Sequence, residues 1–228
     1  MPLDLDDATV VFDLDGTLVD TAPDLATAAS HALSLVGLPS VSVAELHPFI
    51  GHGSKAMIDA GLRLHEKTLP QRELDRLHAA FLDYYAANIA AHSRPYEGVI
   101  DVLRELQDAG ATLAVCTNKV ERLSRRLLQE LDLDRRLRVI AGRDTFDVFK
   151  PAPGHLLRTI TAAGGRPDRA VMVGDSEVDI ATAAAASVPC IAVTFGYSTR
   201  PVRELGPSAV IGHYREFMPA LERVLPPR

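Results

Sequence analysis

The sequence predicts an α/β protein: a doubly wound parallel-sheet core with a small all-helical cap inserted directly after the first strand. Three observations predict it. Residues 8–14 (ATVVFDL) are an apolar run of strand length. From Pro95 onward, short apolar runs alternate with helical patterns, as in a parallel sheet covered on both faces. Between them, residues 21–94 carry helical patterns and no strand candidate, more helix than one crossover needs.

The elements follow in order. After the first strand, TAPDLATAASHALSLVGL reads as a helix. Thr21 and Asp24 have capping-box spacing, Pro23 suits the first turn and Gly37 the stop. Residues 42–92 read as helical nearly throughout, with breaks at Gly51-His52-Gly53 and near Pro70. Residues 98–109 are a helix ended by Gly110, and 111–116 a strand. Helix 120–131, strand LRVIAG, helix 153–163, strand AVMVG and helix 177–186 come next. CIAVTFG and SAVI read as strands, and 214–225 closes as a helix. The expected division is residues 1–20 with 95–228 as the α/β core and 21–94 as the cap.

Composition narrows the class of function. The chain has 228 residues, enough for a sizeable core, and a formal net charge of −6. Dispersed acidic charge argues against a nucleic-acid surface. The short acidic start lacks the pattern of a signal peptide, and no apolar run has the length of a membrane span. Cys116 and Cys190 each sit in an apolar run and read as core residues of a cytoplasmic protein. The chain is expected to be a monomer or homodimer that binds neither nucleic acid nor membrane.

Ligands of open parallel sheets bind beyond the carboxyl ends of the strands. The first strand delivers Asp13, Asp15 and Thr17, and LAVCTNK delivers Thr117 and Asn118. The VIAG strand leads to Lys150-Pro151, and AVMVGDSEVD delivers Asp175, Ser176 and Asp179. Acids that converge in one crevice repel, and a hard divalent cation with oxygen ligands removes the conflict. The residues therefore point to Mg²⁺ and a phosphorylated ligand. Lys150, the Thr117 hydroxyl and the Asn118 N–H suit phosphate oxygens. An Asp can serve as nucleophile, and a second Asp two residues on can serve as acid and base. Taken singly, each has a plainer reading. Asp13 and Asp15 could end a strand, Asp179 could be a first-turn acid, and Thr117-Asn118 could be a turn. Their joint order favours the site.

The four segments Asp13-Leu14-Asp15-Gly16-Thr17-Leu18, Thr117-Asn118, Lys150-Pro151 and Gly174-Asp175-Ser176 with Asp179 resemble, in order, the motifs of the haloacid-dehalogenase superfamily of phosphatases. The resemblance implies that Asp13 is the nucleophile and Asp15 the general acid/base. It implies that Asp13, the Asp15 carbonyl and Asp175 hold Mg²⁺, that Asp179 orients the metal's surroundings, and that Thr117, Asn118 and Lys150 hold the phosphate. The family's dehalogenases lack the second acid, so Asp15 disfavours carbon–halogen cleavage.

Longer stretches, among them FDLDGTLVDTAPDL, RPYEGV, GRDTF, KPAPGHLL and TFGYS, are similar to the phosphoglycolate phosphatase group. That implies hydrolysis of 2-phosphoglycolate. Phosphatases of sugar or amino-sugar phosphates and a sugar phosphomutase of the same superfamily remain as alternatives. Two departures from the family pattern are Arg143, where Gly is frequent, and Asp147-Val148-Phe149 before Lys150, where a proline and basic residues are usual. In the cap, His52 and Lys55 of Gly51-His52-Gly53-Ser54-Lys55 are candidates for substrate selection, against the plainer reading of a turn between helices. Tyr197 and Arg200 lie beyond a strand end, where they could border the site, although a structural loop is the plainer reading. The remaining histidines form no metal-ligand pair, so zinc is not expected.

Overall fold

The computed structural model describes residues 5–225. It contains a six-stranded sheet built from β1 (Thr9–Phe12), β4 (Thr112–Cys116), β5 (Val139–Ala141), β6 (Ala170–Gly174), β7 (Cys190–Val193) and β8 (Ala209–Ile211). Two short strands, β2 (Val19–Asp20) and β3 (Arg94–Pro95), lie where the chain leaves this part of the molecule and returns to it. The sheet order is β5-β4-β1-β6-β7-β8, and every pairing is parallel. β1 is central, and the chain builds first to one side of it and then to the other. That reversal creates the crevice in which such sheets bind ligands.

Register makes the crevice usable. Phe12 is level with Val115 on one side and Val173 on the other. The residues just past three strands therefore emerge together: Asp13, then Thr117 one residue beyond Cys116, and Asp175 beyond Gly174. Strand periodicity divides the core. Val11, Ala114, Cys116 and Met172 face α7 (Pro153–Ala162) and α8 (Glu177–Ala185), where Leu156, Ile160, Ile180 and Ala183 pack against them. On the other face, the Phe12 ring stacks on Phe217 of α9 (Phe217–Val224) with centroids 5.9 Å apart. There α5 (Val99–Asp108) packs on β4. α6 (Glu121–Glu130) packs against β5. Both cysteines are free and buried in the core. Among the described residues, no helix is long and apolar enough to cross a membrane.

The chain divides into two compact units, residues 1–20 with 95–228 and residues 21–94. The second contains α1 (Ala22–Ser34), α2 (Val43–Leu46), α3 (Ser54–Leu64) and α4 (Gln71–Ala87). Leu25, Ala29, Leu33, Met57, Leu77 and Phe81 fill its interior. Gly61 lets α3 approach α1, because a Cβ there would stand 2.4 Å from Leu33 Cδ1. The break expected at residues 51–53 is the end of a 3-10 turn over His47–His52, closed by Gly53 at φ +89°.

The capping box expected at the start of α1 does not form. The Thr21 side chain makes no cap hydrogen bond. Asp24 is drawn instead to the far end of the same unit. Its carboxylate accepts from the N–H groups of His92 (3.0 Å) and Ser93 (2.8 Å) and from Ser93 Oγ (2.6 Å). Burial pushes its carboxyl upward, but these donors outweigh it and hold the group below its ordinary value. A tertiary acceptor role displaced the local one.

Candidate active site

The turn after β1 is built around Gly16, whose φ of +82° is open to glycine at little cost. Its N–H donates to Val19 O (3.0 Å), while Leu18 N donates to Leu14 O (3.0 Å). The turn brings Thr17 Oγ1 to Asp175 Oδ1 (2.9 Å). The other Asp175 oxygen accepts the N–H of Tyr197 (2.7 Å). Glycines wall this carboxylate closely. A Cβ on Gly196 would lie 2.2 Å from Asp175 Cβ and 2.4 Å from Gly16 O. We expect Gly196→Ala to lower stability by about 1–3 kcal/mol, the usual cost of overpacking. It should also cut turnover at least tenfold by displacing Asp175; unchanged melting and turnover would show the loop yields freely.

Asp179 is placed by local chemistry. Ser176 caps α8, its Oγ accepting from Asp179 N (3.3 Å). Asp179 Oδ2 accepts in return from Ser176 N (3.1 Å) and Oγ (2.6 Å). The second oxygen, Oδ1, receives Lys150 Nζ at 2.6 Å. Lys150 Nζ also lies 2.9 Å from Asp13 Oδ1, so one buried ammonium bridges two carboxylates. Both Asp179 oxygens are thus engaged.

Oxygens of Asp13, Asp175 and Asp179 all lie within 4.8 Å of one another. Three buried carboxylates against one ammonium leave uncompensated negative charge. Burial pushes the Asp13 carboxyl up to about 6, with Asp179 adding to the rise and Lys150 opposing it. Burial also raises Asp175 well above its ordinary value, reinforced by Asp179 and Asp13. For Lys150, burial favours the neutral amine, but the charges of Asp13 and Asp179 outweigh it and raise its pKa. An all-oxygen donor set short of positive charge suits a hard divalent cation; ligands of zinc's preferred kind are absent from this cluster.

Of the residues singled out from the sequence, Asp13, Asp15, Asp175, Asp179 and Lys150 converge. Thr117 is buried beside them, its Oγ1 accepting from Lys119 N (3.2 Å). The Asn118 amide is turned to the Lys150 carbonyl (Nδ2 to O, 3.0 Å), so its side chain steadies the lysine loop. His52 and Lys55 belong to the second unit and are exposed. Tyr197 lies in a loop, as expected, and that loop borders the site. Its N–H holds Asp175, and its hydroxyl donates to Asp20 Oδ1 (2.7 Å).

Three contributors escaped the sequence reading. Lys119, directly after Thr117-Asn118, places Nζ 3.0 and 3.1 Å from the two Asp15 oxygens; the strand-end rule that found Thr117 extends to it. Gly196 has no sequence signal of its role. His155 passed as one histidine among several, yet it is fully buried. Its Nδ1 accepts from Lys150 N (3.2 Å), and its Nε2 lies 3.1 Å from Gly142 O, which makes it a neutral ring protonated on Nε2.

Burial and the nearby Lys150 charge push His155 down to about 4 from 6.5. As pH falls from 6.5 to 4, the unfolded chain takes up this proton and the folded one does not. The histidine thus contributes stability that is complete above 6.5 and lost toward 4, up to about 3 kcal/mol. The stability gap between wild type and His155→Gln should therefore narrow across that window in denaturant titrations. Parallel curves would contradict it.

The departures near Lys150 also find partners. The Arg143 guanidinium lies 4.2 Å from the centroid of Phe149, and Arg143 N donates to Lys119 O (2.9 Å). Asp147 pairs with Arg158, which also lies 6.0 Å from the Phe146 ring. The unusual residues form a self-consistent loop.

Known proteins resemble this chain over most of its length. The family model described as haloacid dehalogenase-like hydrolase matches residues 10–193. A phosphoglycolate phosphatase of Mesorhizobium japonicum is 50% identical over 205 residues, covering 90% of each chain. One from Agrobacterium fabrum is 46% identical over 211 residues, covering 92% of this chain and 91% of its own. The crystal structure of a predicted phosphoglycolate phosphatase from Haemophilus somnus 129PT superposes with a TM-score of 0.88 at 29% identity, covering 94% of this chain and 97% of that one. The chain belongs to the haloacid dehalogenase-like hydrolases, and it is a phosphatase.

Proposed function

We propose that this phosphatase hydrolyses 2-phosphoglycolate to glycolate and phosphate through an aspartyl-phosphate on Asp13. The observation that carries the mechanism is the placement of Asp13 against Lys150 (2.9 Å), with Asp15 two residues on and Asp175 and Asp179 alongside. The relatives at 50% and 46% identity support the substrate. In this reading the first unit is the catalytic core and the second the cap.

An Asp13 oxygen attacks phosphorus and the ester P–O bond breaks. Asp15 passes its proton to the departing oxygen, releasing glycolate. Asp15, now a carboxylate, takes a proton from water as that water's oxygen attacks phosphorus. The bond to Asp13 breaks, phosphate leaves, and both acids are restored. Lys150, the Thr117 hydroxyl and the Asn118 N–H hold the phosphoryl oxygens. Lys150 keeps Asp13 ionised despite its burial. Mg²⁺ would be held by Asp13, Asp175 and the Asp15 carbonyl, with Asp179 orienting the set, and when bound it supplies positive charge for the phosphoryl oxygens. In this reading the enzyme works in the cytoplasm, and two free thiols support that.

The test is phosphate release, with Mg²⁺, from 2-phosphoglycolate, several sugar phosphates and an amino-sugar phosphate. A clear preference for 2-phosphoglycolate supports the reading. Activity spread over sugar phosphates removes the substrate, and phosphoryl transfer back to a sugar indicates a mutase. Alanine at His52 and Lys55, run on the same panel, tests their part in selectivity. Mg²⁺ should also raise the melting temperature, with about 2.7 kcal/mol of added stability at a hundredfold excess over Kd. Asp175→Asn should abolish that shift; a shift that survives would place the ion elsewhere.

A further inference from the structure

We propose that Lys119 selects the leaving group: its ammonium, seated against Asp15, binds a carboxylate two bonds beyond the scissile oxygen of the substrate. This deepens the phosphoglycolate reading and rests on it. Lys150 already serves the acids of the metal cluster, touching Asp13 and Asp179. Lys119 is a second buried ammonium, its side chain 6% exposed, and it pairs with Asp15, which in the proposed mechanism meets the leaving oxygen. Whatever is attached to that oxygen therefore comes within reach of Lys119. In 2-phosphoglycolate the attached group is a single methylene carrying a carboxylate.

The lysine is built into place from its backbone outward. Its N–H donates to Thr117 Oγ1 (3.2 Å), and its carbonyl accepts from Arg143 N (2.9 Å). Gly142 makes that approach possible, since a Cβ there would lie 2.7 Å from Lys119 O. The preceding Asn118 side chain is fixed on the Lys150 carbonyl. An ammonium with three N–H donors can join two carboxylates, as Lys150 does between Asp13 and Asp179. When substrate binds, Lys119 turns its charge to the substrate carboxylate, and Asp15, still within reach of one N–H, carries the proton that it gives to the departing oxygen. A neutral hydroxyl in that position would leave the cation less well matched, so the residue discriminates by charge.

The experiment compares kcat/KM for 2-phosphoglycolate with that for 2-hydroxyethyl phosphate, its neutral counterpart, in wild type and Lys119→Met. Asp15 is 19% exposed and can be solvated without its partner, so the variant should fold. Melting curves check that it does. Wild type should favour the carboxylate ester. Lys119→Met should lose about 100-fold on it, in the range for truncating one partner of a buried charge pair, and under about 10-fold on the neutral ester. Lys119→Arg should restore part of the preference, and it carries the same comparison with Lys119→Gln should the methionine variant not fold. Equal losses on both esters, in a wild type that does prefer the carboxylate, overturn the Lys119 assignment and leave the substrate standing. A wild type with no preference for the carboxylate overturns both.

Discussion

Asp13→Asn is expected to lower turnover by about 10⁵-fold or more, the scale on which removal of a covalent nucleophile acts, while the protein remains folded. The amide keeps the shape of the carboxyl but cannot form the phosphoryl ester. Stability should hold or rise, because the substitution removes one of three crowded negative charges. Burial already pushes Asp13 up to about 6, with Asp179 adding to it. Lys150 retains Asp179 at 2.6 Å, so its ammonium is not orphaned. The measurement is single-turnover phosphate release beside a melting curve. Loss of activity with intact or higher stability identifies a chemical role. Activity within tenfold of wild type would remove Asp13 as nucleophile.

Lys150→Met should reduce both activity and stability. Breaking a buried ion pair by deleting one partner costs about 3–5 kcal/mol, since the other charge stays buried. Here two carboxylates, on Asp13 and Asp179, lose the same cation. The deficit should depend on pH with a definite sign. Without Lys150, the force that lowers the Asp13 pKa is gone, so its folded value rises further above the ordinary 3.8. A carboxyl raised in the folded state costs nothing below the unfolded pKa. The penalty grows as pH rises above it and is complete above the folded pKa. The variant should therefore approach wild-type stability near pH 4 and fall furthest behind above pH 7. Denaturant titrations at the two pH values decide this; a deficit independent of pH would mean that lost packing, not charge, is the cause.

The two substitutions separate what one cluster does. In the proposed mechanism Asp13 contributes chemistry at some expense of stability, and Lys150 makes that arrangement tolerable. Both are buried on strand ends or the loops that follow them, where the rigid sheet sets their spacing. Mg²⁺ and phosphate binding would act on this already compressed set of charges.

Much of this was legible in the residues. Apolar runs of four to six residues between helical patterns specified the parallel sheet, because a strand buried on both faces excludes polar side chains. Asp13, Asp15, Lys150, Asp175 and Asp179 stood out because acids and a lysine at successive strand ends are costly without a ligand. Boundaries moved slightly: the first strand stops at Phe12, since from Leu14 the backbone turns through Gly16. The closing helix begins as a 3-10 turn over Tyr214–Glu216 before α9.

What the sequence by itself determined was the alternation of strand and helix and the chemical kinds gathered at the strand ends, since both follow from local pattern and composition. Only the tertiary structure decided the partners. Asp24 left its capping box for Ser93, 69 residues away, because that end of the unit offered more donors. Tyr197 supplied a backbone N–H, which every residue but proline carries and no motif marks. His155 became a neutral strut for Lys150, and Lys119 met Asp15 across 104 residues of chain. Such pairings depend on register and burial, which arise only when the strands are side by side.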